Sequence, residues 1–365
     1  MFIASIASIL CFFPMSDTDS SLPLPSVSLV VPNYNGVDLL RKNVPTLLRA
    51  AEVYPGEAEV LVVDDGSHDD SVGVTRRELG AARLVEHPEN QGFGAACLTG
   101  AREARHGIVV LLNSDVTVAE AFLAPLVRPF TRDPAVFSVS PLILDRAGKP
   151  GKVTVNHPYV RRGELRWRGV DPDRLLALGA LDPEVPLEIH SLFGLGGAIA
   201  LDRARFLALG GFDPLYRPFY HEDVDLGLMA WRRGWKVLVE PRSRVTHEDG
   251  GTIRRHFAPL RVKVLRRRHR ILCGWKHAEG AWRRQQAGSL LRRALTRWAT
   301  LDLRFYAALF LAWLRRNEAL RARSREEEQV GVPLLRTFEH IAATWPDGVA
   351  SAPRPYGRGV LDPAG

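Results

Sequence analysis

Apolar residues fall along this chain in two kinds of run. Short, unbroken ones rich in valine and leucine cover 26–32, 59–63 and 107–112, with a weaker one at 82–86. They are too short for a helix and too uniformly apolar for a strand with one wet face. They therefore predict strands buried on both sides. Between them the spacing turns helical. Leu39, Leu40, Val44, Leu47 and Leu48 place a helix over 37–51, residues 67–70 offer N-caps for a second, and the Gly/Ala-rich 92–105 predicts a third. Strand and helix in alternation predict an α/β fold: a mostly parallel sheet flanked by helices. Polar residues close each run near Asn33, Asp65, His87 and Asn113. In such sheets the ligand crevice opens beyond those strand ends.

The second half is less regular. Residues 144–189 carry many Pro, Gly and Arg and read as loop. From Leu192 the chain is compact again, with Asp202 opening a short helix that stops at Gly210 and Gly211. A strand is expected over 236–240, with His247 in a loop beyond it. Residues 258–325 read as helical throughout, where Leu290, Leu291, Ala294, Leu295, Trp298 and Phe305 recur at a period near 3.6 beside Arg292, Arg293, Arg297 and Arg304. The last forty residues predict a partly ordered tail.

Charge divides the chain the same way. Residues 1–251 carry a net −6, residues 252–325 a net +17, and residues 326–365 a net −3. The body is mildly acidic, so the overall basicity is no argument for nucleic acid, and no recognised binding module accompanies the arginines. Nucleic acid is not an expected partner. The basic stretch has two readings: a helical pair packed on the core with a solvated Arg face, or an interfacial helix docked on anionic lipid. Cys11, Cys97 and Cys273 form neither a metal spacing nor a disulfide framework, which fits a reducing compartment. Residues 1–15 are apolar without Lys or Arg and lack a clear cleavage site, unlike a secretory signal. An apolar run of about 13 residues also falls short of the roughly 20 that span a bilayer. A disordered leader over 1–25, with Met15 as the true start, is expected; an interfacial anchor is the other reading.

Acidic groups at strand ends supply the candidate chemistry. Asp115 is the only charge in 111–116, and so is a candidate ligand for Mg²⁺ or Mn²⁺ or the cap of a helix starting near Thr117. Asp65, in Asp64-Asp65-Gly66-Ser67, can meet a nucleotide base or ribose, or serve an ordinary turn. Tyr34, exposed after Pro32-Asn33, can lie against a base ring. Gly92, within Asn90-Gln91-Gly92-Phe93-Gly94, allows an anion close to a helix N-terminus, but neither a dinucleotide fingerprint nor a P-loop is present. Glu222-Asp223-Val224-Asp225 follows the apolar Phe219-Tyr220-His221. There Asp223 is the expected general base, Glu222 its substitute, and Asp225 a support for the helix turn or a contact behind the site.

In this order, Val30-Val31-Pro32-Asn33-Tyr34-Asn35-Gly36, Val62-Val63-Asp64-Asp65-Gly66-Ser67, Asn90-Gln91-Gly92-Phe93-Gly94, Leu112-Asn113-Ser114-Asp115, Gly196-Gly197-Ala198, Gly210-Gly211-Phe212-Asp213 and Glu222-Asp223-Val224-Asp225-Leu226 resemble the family 2 glycosyltransferases of GT-A fold. The subgroup resembled is that of bacterial rhamnosyltransferase-like enzymes. The resemblance implies a nucleotide-diphosphate sugar donor held by Pro32, Asn33, Tyr34, Asp65, Gly92, Asn113, Ser114 and Gly197. It implies a divalent metal, Mg or Mn, on Asp115 and His247, and Asp223 as base for a single inverting displacement onto a saccharide or lipid-linked acceptor hydroxyl. Asn113 stands where the family's Asp-x-Asp motif has its first acid, so a pseudo-enzyme that binds nucleotide sugar without turnover is an alternative. A sugar nucleotidyltransferase is a lesser one, because its Gly-rich activating loop is missing after the first strand. The implied plan is a GT-A domain over 26–258 (nucleotide-binding half 26–143, acceptor half 144–258), a basic helical extension over 259–325 and a tail over 326–365. The implied setting is the cytoplasm, with the basic helices giving a peripheral hold on the inner face of the membrane, in cell-envelope polysaccharide or glycolipid synthesis.

Overall fold

The computed structural model describes residues 23–151, 154–169, 172–178, 180, 187–247, 257–329 and 331–343. Its first half alternates β1 (Val27–Asn33), α1 (Val37–Val53), β2 (Ala58–Asp64), α2 (Ser71–Glu78), β3 (Arg83–Glu86), α3 (Phe93–Glu103) and β4 (Ile108–Leu112). Then come β5 (Val116–Val118), α4 (Leu123–Arg132), β6 (Val136–Leu144), β7 (Asn156–Arg161), β8 (Glu164–Gly169), α5 (Pro172–Leu178), β9 (Ile189–His190), β10 (Ala198–Asp202), α6 (Arg203–Ala208), α7 (Glu222–Arg232) and β11 (Lys236–His247). Four helices follow, α8 (Pro259–His277), α9 (Gly280–Thr296), α10 (Leu303–Leu314) and α11 (Arg316–Glu328), and then α12 (Leu334–Ala343).

The main sheet runs β3-β2-β1-β4-β10-β6-β11-β5, with β9 paired to β11. Strands β1, β2, β3, β4, β6 and β11 point one way, while β5, β9 and β10 run against them. Both faces are covered. Val27, Leu29 and Val31 of β1 join Leu40 and Leu47 of α1 in one core, and Val30 joins Ala96 and Cys97 of α3 in the other. That two-sided burial explains why these strands read as unbroken apolar runs. The strand order turns back between β1 and β4, and the ends of β1, β2, β4 and β11 share one edge, where the crevice is expected.

Several expectations change. The stretch read as loop holds the β7–β8 hairpin and α5. Asp115 caps no helix, because β5 begins directly after it. His247 is the last residue of β11 rather than part of a loop, paired in register with Val116. The basic stretch is four helices rather than a pair. The expected tail includes α12, whose Leu334, Phe338 and Ile341 are fully buried in the core shared with α7 and α8, since this amphipathic helix has an apolar stripe to cover. The leader readings, including Met15, lie outside the described residues up to Pro23.

Candidate active site

The loops after β1 and β2 are locked together. Asn33 Nδ2 donates to Asp64 Oδ2 (3.0 Å), which also accepts from Ser67 Oγ (2.7 Å). Asn35 N donates to Ser67 Oγ (2.9 Å), and His68 N to Asn35 Oδ1 (2.8 Å). Pro32 and Asn33, expected on the nucleotide, are buried in β1 instead. They hold the shape of the loop that presents Tyr34, which is exposed with its ring edge-on to His68 at 6.4 Å.

Asp65 is buried and holds the neighbouring loop. Its Oδ1 accepts from Gln91 N (2.9 Å) and lies 2.7 Å from His87 Nδ1, while Oδ2 accepts from Gly92 N (2.8 Å). The amide of Gly92, expected to meet a phosphate, is therefore engaged by a carboxylate of the protein itself. Asp65 Oδ2 keeps one acceptor position for a nucleoside hydroxyl or amide. At the end of β4, Asn113 N donates to Gly197 O (2.9 Å), and Ser114 O accepts from Asn43 Nδ2 (2.7 Å). A Cβ at Gly197 would stand 2.9 Å from Asn113 Nδ2, so glycine there makes room for the Asn113 amide.

Asp115 and His247 come together as the resemblance implies. His247 Nε2 lies 3.2 Å from Asp115 Oδ1, an oxygen that is buried and accepts no well-formed hydrogen bond among the described residues. Two donors about 2.1 Å from one cation at a right angle stand about 3 Å apart, so this pair fits neighbouring positions of a metal shell. Among the described residues no third His, Cys, Asp or Glu joins them. A Mg²⁺ ion held there would take its remaining positions from phosphate oxygens and water.

The head of α7 carries the second acidic group. Tyr220 and His221 both have positive φ (70° and 77°), a conformation bulky residues adopt at a cost and one that concentrates at functional sites. His221 is buried, and burial pushes its imidazole down to about 3, which keeps it neutral. Burial pushes Asp223 up to about 6 against the Val224 amide that donates to its Oδ1 (2.8 Å). Burial, and then the charge of Asp223, pushes Glu222 up to about 8. Glu222 Oε2 has no hydrogen-bond partner among the described residues. The two carboxyls titrate as a pair, and the Asp223 charge favours a proton on Glu222. Helix α3 lies close to both this group and Asp65. Its buried Cys97 thiol is pushed up by burial, then by the nearby charges of Glu222 and Asp65.

Asp225 lies behind the site, fully buried. It accepts from Tyr216 Oη (2.9 Å) and Lys276 Nζ (2.8 Å), and its Oδ1 is 2.6 Å from His277 Nε2. Lys276 Nζ also donates to Asp213 Oδ2 (2.7 Å). Despite burial, Lys276 and His277 hold the Asp225 carboxyl well below its ordinary range. Sequence reasoning found Asp225, quoted Asp213 within a motif without giving it a role, and missed Lys276 and His277. The signal for Lys276 and His277 was a Lys-His pair at the end of an Arg-rich helix. This cluster keys α8 into the sheet domain, so the reading of helices packed on the core holds for α8.

Residues 28–175 match the family model described as glycosyl transferase family 2. Polypeptide N-acetylgalactosaminyltransferase 11 of Xenopus tropicalis is 29% identical over 239 residues, which are 61% of this chain and 38% of that relative. The chain thus spans well under half of that relative's length. The fold is similar to that of GalNAc-T7 solved with UDP, GalNAc and Mn2+ (TM-score 0.52, 19% identity, 72% of this chain and 51% of the other). It is also similar to that of the mannosyltransferase PcManGT from Pyrobaculum calidifontis, solved with GDP-Man and Mn2+ (TM-score 0.50, 19% identity, 88% and 92%).

Proposed function

We propose, from the match of residues 28–175 to glycosyl transferase family 2, that the chain moves a hexosyl or rhamnosyl unit from a nucleoside-diphosphate sugar to an acceptor hydroxyl with inversion. The observation that carries this reading is the Asp115–His247 pair at the crevice edge, with a raised carboxylate at the head of α7. Tyr34 lies against the base, and Asp65 and the Asn113-Ser114 turn meet the ribose. A divalent cation held by Asp115 and His247 supplies Lewis-acid neutralisation of the departing diphosphate. Asp223 takes the proton of the acceptor hydroxyl as that oxygen bonds to the anomeric carbon. The bond from that carbon to the diphosphate oxygen breaks, and the nucleoside diphosphate leaves.

Asp115→Ala is expected to weaken Mn²⁺-dependent binding of a nucleoside diphosphate by at least roughly 10–100-fold, the loss typical of even indirect metal supports. Isothermal titration with and without Mn²⁺ checks this, and an unchanged affinity removes Asp115 from the site. Asn113 in place of a second acid favours one other reading, nucleotide-sugar binding without turnover. Donor consumption by the native chain separates the two.

The setting we propose is cell-envelope polysaccharide or glycolipid synthesis, by a cytoplasmic protein peripheral at the membrane. Leu291, Leu295 and Trp298 form an exposed stripe on α9 and just beyond it, and Leu303, Phe310 and Leu314 form another on α10, with Arg292 and Arg304 alongside. Apolar side chains flanked by arginine suit the interface of an anionic bilayer. No described helix is long and apolar enough to cross a membrane.

A further inference from the structure

The tip of the β7–β8 hairpin rests on α9 and borders a half-open cavity of about 330 Å³. Arg161, Arg162 and Arg166 line it from the hairpin, and Arg292, Arg293 and Arg297 from the helical side. A contiguous recess of about 190 Å³ adds Arg267 and Arg270 of α8. Glu164 is the only acid among the described lining residues, and it is engaged by Arg166 (2.7 Å) and Arg293. Asp302 neutralises Arg267 and Arg297, each at 2.7 Å. Arg161, Arg162, Arg270 and Arg292 form no ion pair among the described residues. Several cations facing one hollow repel each other, and an anion relieves that repulsion. Guanidinium groups match phosphate oxygens in geometry as well as charge.

The cavity is also held in shape. Arg162 and Gly163 both have positive φ (53° and 73°), the requirement of a tight two-residue hairpin turn. A Cβ on Gly163 would stand 2.3 Å from Gln286 N, so the turn packs directly on the backbone of α9. Trp282 Nε1 donates to Gly163 O (3.2 Å). Along β8 the side chains alternate: Glu164 and Arg166 line the cavity while Leu165 and Trp167 pack inward. The Trp167 ring lies 5.9 Å from that of His221, the residue before Glu222 and Asp223. One strand therefore separates the arginine cavity from the helix that carries the base.

We propose that this cavity binds a phosphate or diphosphate ester group of the acceptor, a role that rests on reading α7 as the base-bearing helix. The exposed stripe of Leu291, Leu295 and Trp298 continues from Arg292 and Arg293, so an ester carried on a lipid is one source and a soluble ester the other.

The probe is inorganic pyrophosphate, titrated into the full chain carrying Asp115→Ala, with EDTA, so that the donor site does not contribute. Binding is expected, weakening with added salt. Arg162→Gln with Arg292→Gln should lower affinity at least tenfold, while Arg162→Lys with Arg292→Lys should keep most of it, both with unchanged thermal melts. No binding by the parent, or equal binding by the glutamine pair, overturns the proposal. Sedimentation with phosphatidylcholine vesicles, with and without phosphatidic acid, distinguishes the sources. Acid-dependent sedimentation lost in both the glutamine pair and Trp298→Ser supports the lipid ester, and pyrophosphate binding without sedimentation supports the soluble one. The titration needs no turnover, so failure of the catalytic reading and failure of the cavity are seen separately.

Discussion

Asp223→Asn lowers turnover by roughly 10²–10⁴ while leaving donor affinity nearly intact. Asparagine keeps the size of the side chain and an acceptor for the Val224 amide, so the head of α7 should not move. What it loses is the ability to take a proton. Burial raises Asp223 only to about 6, because the Val224 amide favours its charged form, whereas burial and the Asp223 charge hold Glu222 near 8. A base works only when deprotonated. The native rate should therefore climb as pH rises through about 6 and level off above it, and the variant should lose that limb. Single-turnover rates across this range check the claim. Full activity in Asp223→Asn moves the base elsewhere, and Glu222→Gln becomes the next variant to measure.

Lys276→Met destabilises the fold by about 3–5 kcal/mol, the usual loss when one partner of a buried ion pair is removed. Methionine fills similar volume, so packing changes little and the charge is what goes. Asp213 and Asp225 are then left facing one another, with Asp225 fully buried. The sign with pH follows from Asp225, whose carboxyl is held below its ordinary range. Its contribution is complete above the unfolded carboxylate value and is lost as pH falls through the lower native one. The variant should accordingly show a weaker acid dependence of stability than the native chain. Urea midpoints at neutral and acidic pH measure both effects, and an unshifted midpoint would mean that the cluster does not hold α8 to the sheet.

The strands of the first half were legible because burial on both faces leaves an unbroken apolar run, as in Ile108 to Leu112. Asp115 and Asp223 stood out through motif order, and His247 chiefly through the family resemblance. What pairs Asp115 with His247 is the antiparallel register of β5 and β11, a contact between residues far apart in sequence. The roles of Asn33, Asp65 and Gly92 were harder to read. Whether a polar atom faces ligand or another loop depends on the loop beside it, and here Asp65 engages the amides of Gln91 and Gly92. The β7–β8 hairpin was hidden because arginines occupy its turn and outer face, so its alternation of Leu165 and Trp167 with Glu164 and Arg166 looked like loop composition. Helix α12 was missed for a related reason, as the polar and Pro/Gly-rich sequence around it masked a short apolar stripe.

Crystals grown with Mn²⁺ and a nucleoside diphosphate test the central claim most directly, through the anomalous signal of manganese. A single peak bonded to both Asp115 Oδ1 and His247 Nε2, with the diphosphate completing its shell beneath Asp223, is the predicted result. Manganese bound away from that pair, or a diphosphate seated on another edge of the sheet, would contradict it.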